Sequence, residues 1–131
     1  DFMGRTKPIK CFFDCLIADI GAQTLICADN GIGFISYSPL AQGLLTDKYL
    51  NTIPAGSRMS RETSLPSSRL TPELRDHLCQ LNAQAQERGE TLAEMALAWI
   101  LAQRGVTSVL VGASSVEQMA CNLKCLHSKP F

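Results

Sequence analysis

The chain is 131 residues long, which favours a single domain, and 46% of its residues are apolar while 18% are charged, as in globular proteins. Its 12 basic and 12 acidic residues balance, so the sequence has neither the basic stripe of a nucleic-acid-binding protein nor the polybasic cluster of a membrane-surface protein. No apolar run approaches the roughly 18 residues that a membrane-spanning helix needs, and the sequence does not start with the apolar segment of a signal peptide.

The first 21 residues carry no motif to which a function is assigned. Their apolar part, residues 11–20, is compatible with a strand or with a short helix, because its periodicity favours neither. Residues 22–30 predict a short helix that ends at Asn30-Gly31, since glycine is common just past a helix C-terminus. In that helix, Leu25 and Ile26 are expected to face a core.

Cysteine content allows two interpretations. An even number of cysteines would suit disulfide bonds. Against this, most of them fall in predicted helices, no pair has CxxC spacing, and the histidines complete no zinc pattern. We therefore expect no metal site, a cytoplasmic location, and free thiols at Cys11, Cys15, Cys27, Cys79, Cys121 and Cys125.

A short strand and a loop of small residues lie between Gly33 and Leu45. The run from Gly33 to Ser38 is rich in β-branched and aromatic residues, which predicts a buried strand. Pro39 ends it because proline cannot donate to a β-ladder, and Gly43 lets the backbone approach a ligand closely. Loops after the carboxyl ends of strands often bind ligands in α/β proteins, but an ordinary strand–loop junction fits the local pattern as well.

Residues 46–70 are a polar, irregular segment with several basic side chains. A structureless loop of this length is unusual in a compact domain unless it is functional or disordered. One interpretation is a mobile surface insertion. The other is a flap in which Lys48 and Arg58 meet an anionic ligand held at the strand end.

Two helices are predicted next. Thr71-Pro72 supplies an N-cap hydroxyl followed by proline in the first turn, and Gly89 ends this helix. A capping box at residues 91–94 starts the second helix, which is apolar on most sides, so we expect it to pack on more than one side with Trp99 in the core. The apolar stripe of the first helix is Leu74, Leu78, Leu81 and Ala85.

Residues 106–111 predict a second strand, which leads into Gly112 and a helix capped by Ser114 or Ser115. A strand, a glycine turn and a helix N-terminus form a ready anion-binding site, because free backbone N–H groups and the positive end of the helix dipole meet there. A plain strand–helix junction with a good cap fits the same pattern.

Strands that alternate with helices predict an α/β fold with a parallel sheet. Only two strands are clear, and two parallel strands do not make a self-sufficient sheet. The sequence therefore predicts a portion of a larger α/β unit, or a chain that associates with a partner.

Four segments in this order resemble the C-terminal part of the aldo-keto reductases, in particular their branch of L-glyceraldehyde 3-phosphate reductases and potassium-channel β-subunits. The segments are ISYSPLAQGLLTDKYL, IPAGSR, TLAEMALAWIL and TSVLVGASSVEQMACNL, and the resemblance covers roughly residues 24–131. It implies the C-terminal portion of a (β/α)8 TIM barrel, with the two strands as its seventh and eighth. Residues 1–131 would then form a partial NADPH-dependent oxidoreductase domain that reduces aldehydes and ketones, with residues 1–21 unassigned.

The resemblance also implies a set of cofactor contacts. Tyr37 would stack on the nicotinamide ring, and Lys48 and Arg58 would close over the cofactor. The pyrophosphate would be lined by Ser38, Pro39, Leu40 and Gly43. The adenosine end with its 2′-phosphate would be held by Gly112, Ser114, Gln118 and Asn122, of which the last two share a helix face.

The sequence departs from the family pattern at two positions next to these residues. Cys121 stands where the family usually has a glutamate, and Asp47 stands where glycine is usual. The family's catalytic Asp, Tyr, Lys and His lie on the first four barrel strands, and no residue of this chain corresponds to them. Hydride transfer to a carbonyl needs both a cofactor and an acid.

We therefore expect the cofactor-binding half of a reductase, without catalytic residues and inactive by itself, whose aldehyde or ketone substrate belongs to the complete enzyme. A non-catalytic half-barrel that binds nucleotide or a partner is the alternative, and a truncation product that does not fold alone is a third possibility. A half-barrel would expose apolar faces, which favours self-association.

Overall fold

The structure is a computed structural model that describes residues 20–62 and 64–131. The unassigned segment 1–21, apart from its last two residues, lies outside the described residues, as do Cys11 and Cys15. In the described part, no helix has the length and apolar character needed to cross a bilayer. The elements in chain order are α1 (Ile20–Asp29), β1 (Phe34–Tyr37), α2 (Pro72–Arg88), α3 (Leu92–Leu101), β2 (Val106–Leu110) and α4 (Val116–Leu123), with short 3-10 turns at Ala41–Gly43, Asp47–Tyr49, Ser67–Arg69 and Lys124–His127.

The two strands pair in parallel, as their alternation with helices predicts. Tyr37 lies opposite Leu110, and Ile35 lies opposite Ser108, after an irregularity in the register near the start of β1. Because the strands run in the same direction, the loops that follow Tyr37 and Leu110 leave the sheet side by side. The described residues thus form a partial α/β unit whose strand ends share one edge.

Side-chain caps fix the starts of α2 and α3 where the sequence predicts them. Thr71 Oγ1 accepts a hydrogen bond from the Leu74 N–H at 3.2 Å, and Gly89 ends α2 with a left-handed φ of 77°. At α3, Thr91 Oγ1 accepts from the Glu94 N–H at 3.2 Å, while Glu94 Oε2 accepts from the Thr91 N–H at 2.7 Å. A cap of this kind contributes about 1 kcal/mol to helix stability.

The core lies between α3, α2 and the segment that links β1 to α2. Residues 94–100 of α3 are all buried, Trp99 among them, which confirms a helix packed on several sides. The predicted stripe of α2 also reaches this core, where Leu78, Leu81 and Ala85 are buried. Each large apolar side chain buried in this way contributes about 1.5–3 kcal/mol.

The polar segment 46–70 is anchored to the core, so its interpretation as a mobile surface insertion is wrong. Several of its apolar side chains are buried, although they are too widely spaced to form a sequence pattern. Arg75 on α2 also donates a hydrogen bond to the Asn51 carbonyl at 2.8 Å. The buried apolar side chains of this segment and of the residues just before it are Leu44, Leu45, Tyr49, Met59 and Leu65.

Two other expectations about burial are wrong. Leu25 and Ile26 of α1 are 45% and 64% exposed instead of facing a core. β1 is not a buried strand, since Ser36 is buried while Ile35 and Tyr37 are exposed. Apolar residues become buried only where a neighbouring element covers them, and the described residues supply no such element on these faces.

Candidate functional site

A groove of about 1080 Å³ opens at the carboxyl ends of β1 and β2. Its walls are the loop after β1, the segment before α2, the turn between β2 and α4, and the start of α3. Residues far apart in the sequence thus converge at the sheet edge where parallel α/β folds commonly bind ligands. All the predicted site residues line it: Tyr37, Ser38, Pro39, Leu40, Gly43, Lys48, Arg58, Gly112, Ser114, Gln118 and Asn122.

The loop after β1 has an unusual backbone. Ser38, Ala41 and Gln42 have positive φ angles of 53°, 47° and 60°, and Gly43 has a φ of 99°. A left-handed backbone costs a non-glycine residue on the order of 1–3 kcal/mol, so the surrounding structure must hold it. The Leu40 carbonyl does so in part by accepting the Gly43 N–H at 2.8 Å. Backbone strain of this kind is concentrated at ligand-binding sites.

The wall formed by the segment before α2 carries positive charge. Lys48 and Arg58 are exposed and line the groove, where the flap interpretation places them, and Arg61 lines it too. Among the described lining residues, Asp47 is the single carboxylate. The groove therefore has a net positive charge, which favours an anionic ligand.

The start of α4 is capped by Ser115, which decides between the two serines that the sequence allowed. Its Oγ accepts from the Gln118 N–H at 3.2 Å. Gln118 Oε1 in turn accepts from the Ser114 backbone N–H at 2.7 Å and from the Ser114 hydroxyl at 3.0 Å. Hydrogen bonds to the backbone N–H of Glu117 and to the Ser115 hydroxyl hold the pKa of the Glu117 carboxyl below its ordinary value. The two hydrogen bonds from Ser114 to Gln118 hold these residues together at the rim of the groove.

Two polar side chains that line the groove have atoms buried without a hydrogen-bond partner among the described residues. Asn122 on α4 is 5% exposed, and its Nδ2 has no acceptor. Gln42, in the strained loop, has a buried Oε1 with no donor. Buried polar atoms nearly always have partners, and an unsatisfied one costs about 1–3 kcal/mol. A ligand with polar groups near these two side chains would satisfy them.

The aldo/keto reductase family model matches residues 23–131, a span that contains every residue lining the groove. The chain belongs to the aldo-keto reductase family. The resemblance of the four sequence segments to this family is therefore confirmed.

Curated relatives of this chain fall in the branch that the sequence segments indicate. L-glyceraldehyde 3-phosphate reductase of Escherichia coli O157:H7 is 50% identical over 107 residues, which cover 79% of this chain and 31% of that protein. A putative voltage-gated potassium channel subunit beta of Schizosaccharomyces pombe is 40% identical over 101 residues, with coverages of 74% and 29%. A probable subunit beta of Arabidopsis thaliana is 36% identical over 106 residues, with coverages of 79% and 32%. The chain thus spans about a third of the length of these relatives.

Gln42, Arg61 and the start of α3 also line the groove, and the sequence did not indicate them as parts of it. Gln42 and Arg61 lie in two segments already predicted to bind a ligand, the loop after β1 and the polar segment 46–70. Their polar side chains could have indicated that they line the site. Thr91 and Ala93 line the groove because α3 directs its first turn towards it. No local sequence pattern reports a contact of that kind.

No three His, Cys, Asp or Glu side chains cluster as metal ligands would in the described ranges, 20–62 and 64–131. Cys27, Cys79, Cys121 and Cys125 are free thiols, and Cys121 lines the groove. Burial, with a smaller effect from the Glu94 carboxylate, raises the pKa of the Cys125 thiol. Cys125 therefore stays protonated at neutral pH.

Proposed function

We propose that this chain is the cofactor-binding, C-terminal portion of a (β/α)8-barrel aldo-keto reductase, and that the groove holds NADPH. The convergence of all the predicted site residues on one groove at the strand ends carries the proposal. Members of the family generally use NAD(P)H, and its two phosphate groups and its 2′-phosphate suit a positively charged groove. On this proposal the protein is a cytoplasmic oxidoreductase, and residues 1–131 form part of one domain.

The residues of the groove fit this cofactor. Tyr37 is 76% exposed at the end of β1, so one face of its ring is open for stacking on a nicotinamide. Lys48 and Arg58, on the wall formed by the segment before α2, would neutralise the charge of the phosphate groups. The buried Asn122 amide would donate to the adenine or ribose, which accounts for a polar atom that has no partner among the described residues. When bound, NADPH supplies the hydride that reduces a carbonyl carbon.

The groove residues of this chain bind and orient the cofactor, and we propose that the acid which protonates the carbonyl oxygen lies outside the chain. Tyr49 lines the groove, but it is 1% exposed and belongs to the hydrophobic core, so we assign it to packing. Tyr37 is assigned to stacking. The aldehyde or ketone substrate is therefore a ligand of the complete enzyme.

Titration of the purified chain with NADPH, followed by cofactor fluorescence, tests this function. We expect saturable binding that Arg58→Ala weakens about tenfold, as loss of one charge-assisted contact should. Arg69→Ala is the matched control, because Arg69 is exposed and lies outside the groove-lining set. No binding by a chain that circular dichroism shows to be folded would overturn the proposal, as would equal losses in the two variants.

A second candidate function, association with a partner or with another copy, is favoured by exposed apolar side chains on the sheet. Ile35, Tyr37 and Leu110 are 62%, 76% and 65% exposed, and they lie on neighbouring strands. Contiguous exposed apolar surface often marks an interface. We expect light scattering to show concentration-dependent association that Ile35→Lys reduces, and a monodisperse monomer over the whole concentration range would contradict it.

A further inference from the structure

Arg61 makes an unusual contact inside the segment that carries Arg58. Its Nε and Nη2 atoms both donate to the Gly56 carbonyl oxygen, at 3.0 and 2.5 Å. The guanidinium is a rigid planar fork, so two donors on one oxygen fix the direction of the side chain as well as its distance. Gly56, whose carbonyl oxygen accepts these two bonds, has a left-handed φ of 74°, a backbone conformation that glycine adopts more easily than other residues.

The contact closes a turn in which the neighbours of Arg58 are held in place by burial or by hydrogen bonds. Ser57 and Met59, on either side of Arg58, are buried. Ser60 donates its hydroxyl to the Ser57 carbonyl at 2.9 Å, and its N–H bonds to the Ser57 Oγ at 3.2 Å. With its neighbours held in this way, Arg58 remains exposed on the wall of the groove.

We propose that Arg61 is a positioning residue for ligand binding, which holds the turn over residues 56–61 so that the Arg58 guanidinium faces the phosphate groups of a nucleotide. This inference rests on the proposed function and adds to it a residue that acts through another. Preorganisation is the physical reason: a turn already fixed in the free protein does not have to be ordered when the ligand binds.

Arg61 could also act directly through its positive charge. The variant Arg61→Lys distinguishes such a direct role from the positioning role, because the two predict different nucleotide affinities. Lysine keeps the positive charge near the groove but cannot give two coplanar N–H groups to one carbonyl oxygen. If only charge matters, Arg61→Lys binds the nucleotide as the wild-type chain does. If the turn must be held, Arg61→Lys weakens binding about fivefold, the range of one lost hydrogen bond.

The first measurement is hydrogen exchange of the peptide spanning residues 54–62 in the free chain, read by mass spectrometry. We expect Arg61→Lys to speed exchange there several-fold by opening the turn, while Arg69→Lys, the matched control, leaves it unchanged. This readout needs no nucleotide. Unchanged exchange in Arg61→Lys would overturn the positioning role whether or not the chain binds NADPH.

The second measurement is a double-mutant cycle on NADPH affinity with Arg58→Ala and Arg61→Lys. A residue that acts through Arg58 has no further effect once Arg58 is removed, so we expect the double variant to bind as Arg58→Ala does. Losses that multiply would overturn the proposal, because they show that Arg61 acts independently of Arg58. Absence of binding by the wild-type chain would overturn the proposed function itself, and with it the role in ligand binding.

Discussion

The Gln118 side chain holds Ser114 at the beginning of α4, since its Oε1 accepts both the backbone N–H and the hydroxyl of Ser114, at 2.7 and 3.0 Å. Two residues that the family resemblance assigns to the adenosine end of the cofactor are therefore bonded to each other in the free protein. Gln118 thus holds the turn before α4, and on the proposed function its second task would be to present its amide to the cofactor.

Gln118→Glu separates these two tasks. A carboxylate accepts the same hydrogen bonds from Ser114, and a negative charge in the first turn of a helix is favourable, so thermal stability should be unchanged or slightly higher. The same charge would repel the 2′-phosphate, and we expect NADPH affinity to fall about tenfold with a smaller loss for NADH. Gln80→Glu, an exposed site on α2 outside the groove, is the control. Unchanged NADPH affinity in Gln118→Glu would show that this residue does not meet the 2′-phosphate.

Asn122→Leu should change binding and stability in opposite directions. The Asn122 Nδ2 is buried without a partner among the described residues, and leucine, which has the same branched shape but bulkier methyl groups, removes that unsatisfied donor. We expect the free energy of unfolding to stay level or to rise by about 1 kcal/mol, while NADPH affinity falls about tenfold. Chemical denaturation and fluorescence titration of the same preparation measure both. A loss of stability would show that the amide is bonded within the free protein.

Elements with local signals could be predicted from the sequence. The hydroxyl caps at Thr71 and Thr91 and the stop at Gly89 depend on neighbouring residues, and the structure places them as predicted. The family resemblance also predicted a set of site residues, and all of them line one groove in the structure. Their roles as cofactor contacts stay predictions.

Features that depend on distant neighbours could not be predicted. Tyr49 and Met59 are buried because α2 and α3 cover them, which no pattern within their polar segment indicates. Leu25 and Ile26 look like core residues from composition, but nothing in the described part of the chain covers them. The left-handed backbone of Gln42 is likewise not indicated by its sequence neighbours.

Alkylation of the thiols should report occupancy of the groove. Cys121 lines the groove, whereas Cys79 is exposed on α2 outside it. With NADPH at ten times its dissociation constant, iodoacetamide should react with Cys121 about tenfold more slowly, and with Cys79 at an unchanged rate. Cys125 should react slowly in either case, because burial raises its pKa and keeps the thiol protonated. Peptide mass spectrometry gives the three rates, and equal Cys121 rates with and without NADPH would place the nucleotide elsewhere.

Two carboxylates at helix starts should make the protein sensitive to acid. Hydrogen bonds from the backbone and from the cap hydroxyls of Thr71 and Ser115 lower the pKa of Glu73 in α2 and of Glu117 in α4 below the ordinary value of 4.5. A carboxyl whose pKa is lower in the folded state stabilises that state above its unfolded pKa, and this contribution is lost as the pH falls through the folded pKa. Stability should therefore drop as the pH is lowered below about 4.5.

Glu73→Gln and Glu117→Gln should each lower the free energy of unfolding at neutral pH and flatten its decline in acid, because glutamine keeps the shape but cannot gain the charge-assisted bonds. Denaturation curves from pH 7 to pH 3 measure both effects. Glu87→Gln removes the same charge from the last turn of α2, where a negative charge opposes the helix dipole, so it should not destabilise the protein. An acid profile that keeps its wild-type slope in the double variant would mean that other carboxylates control the transition.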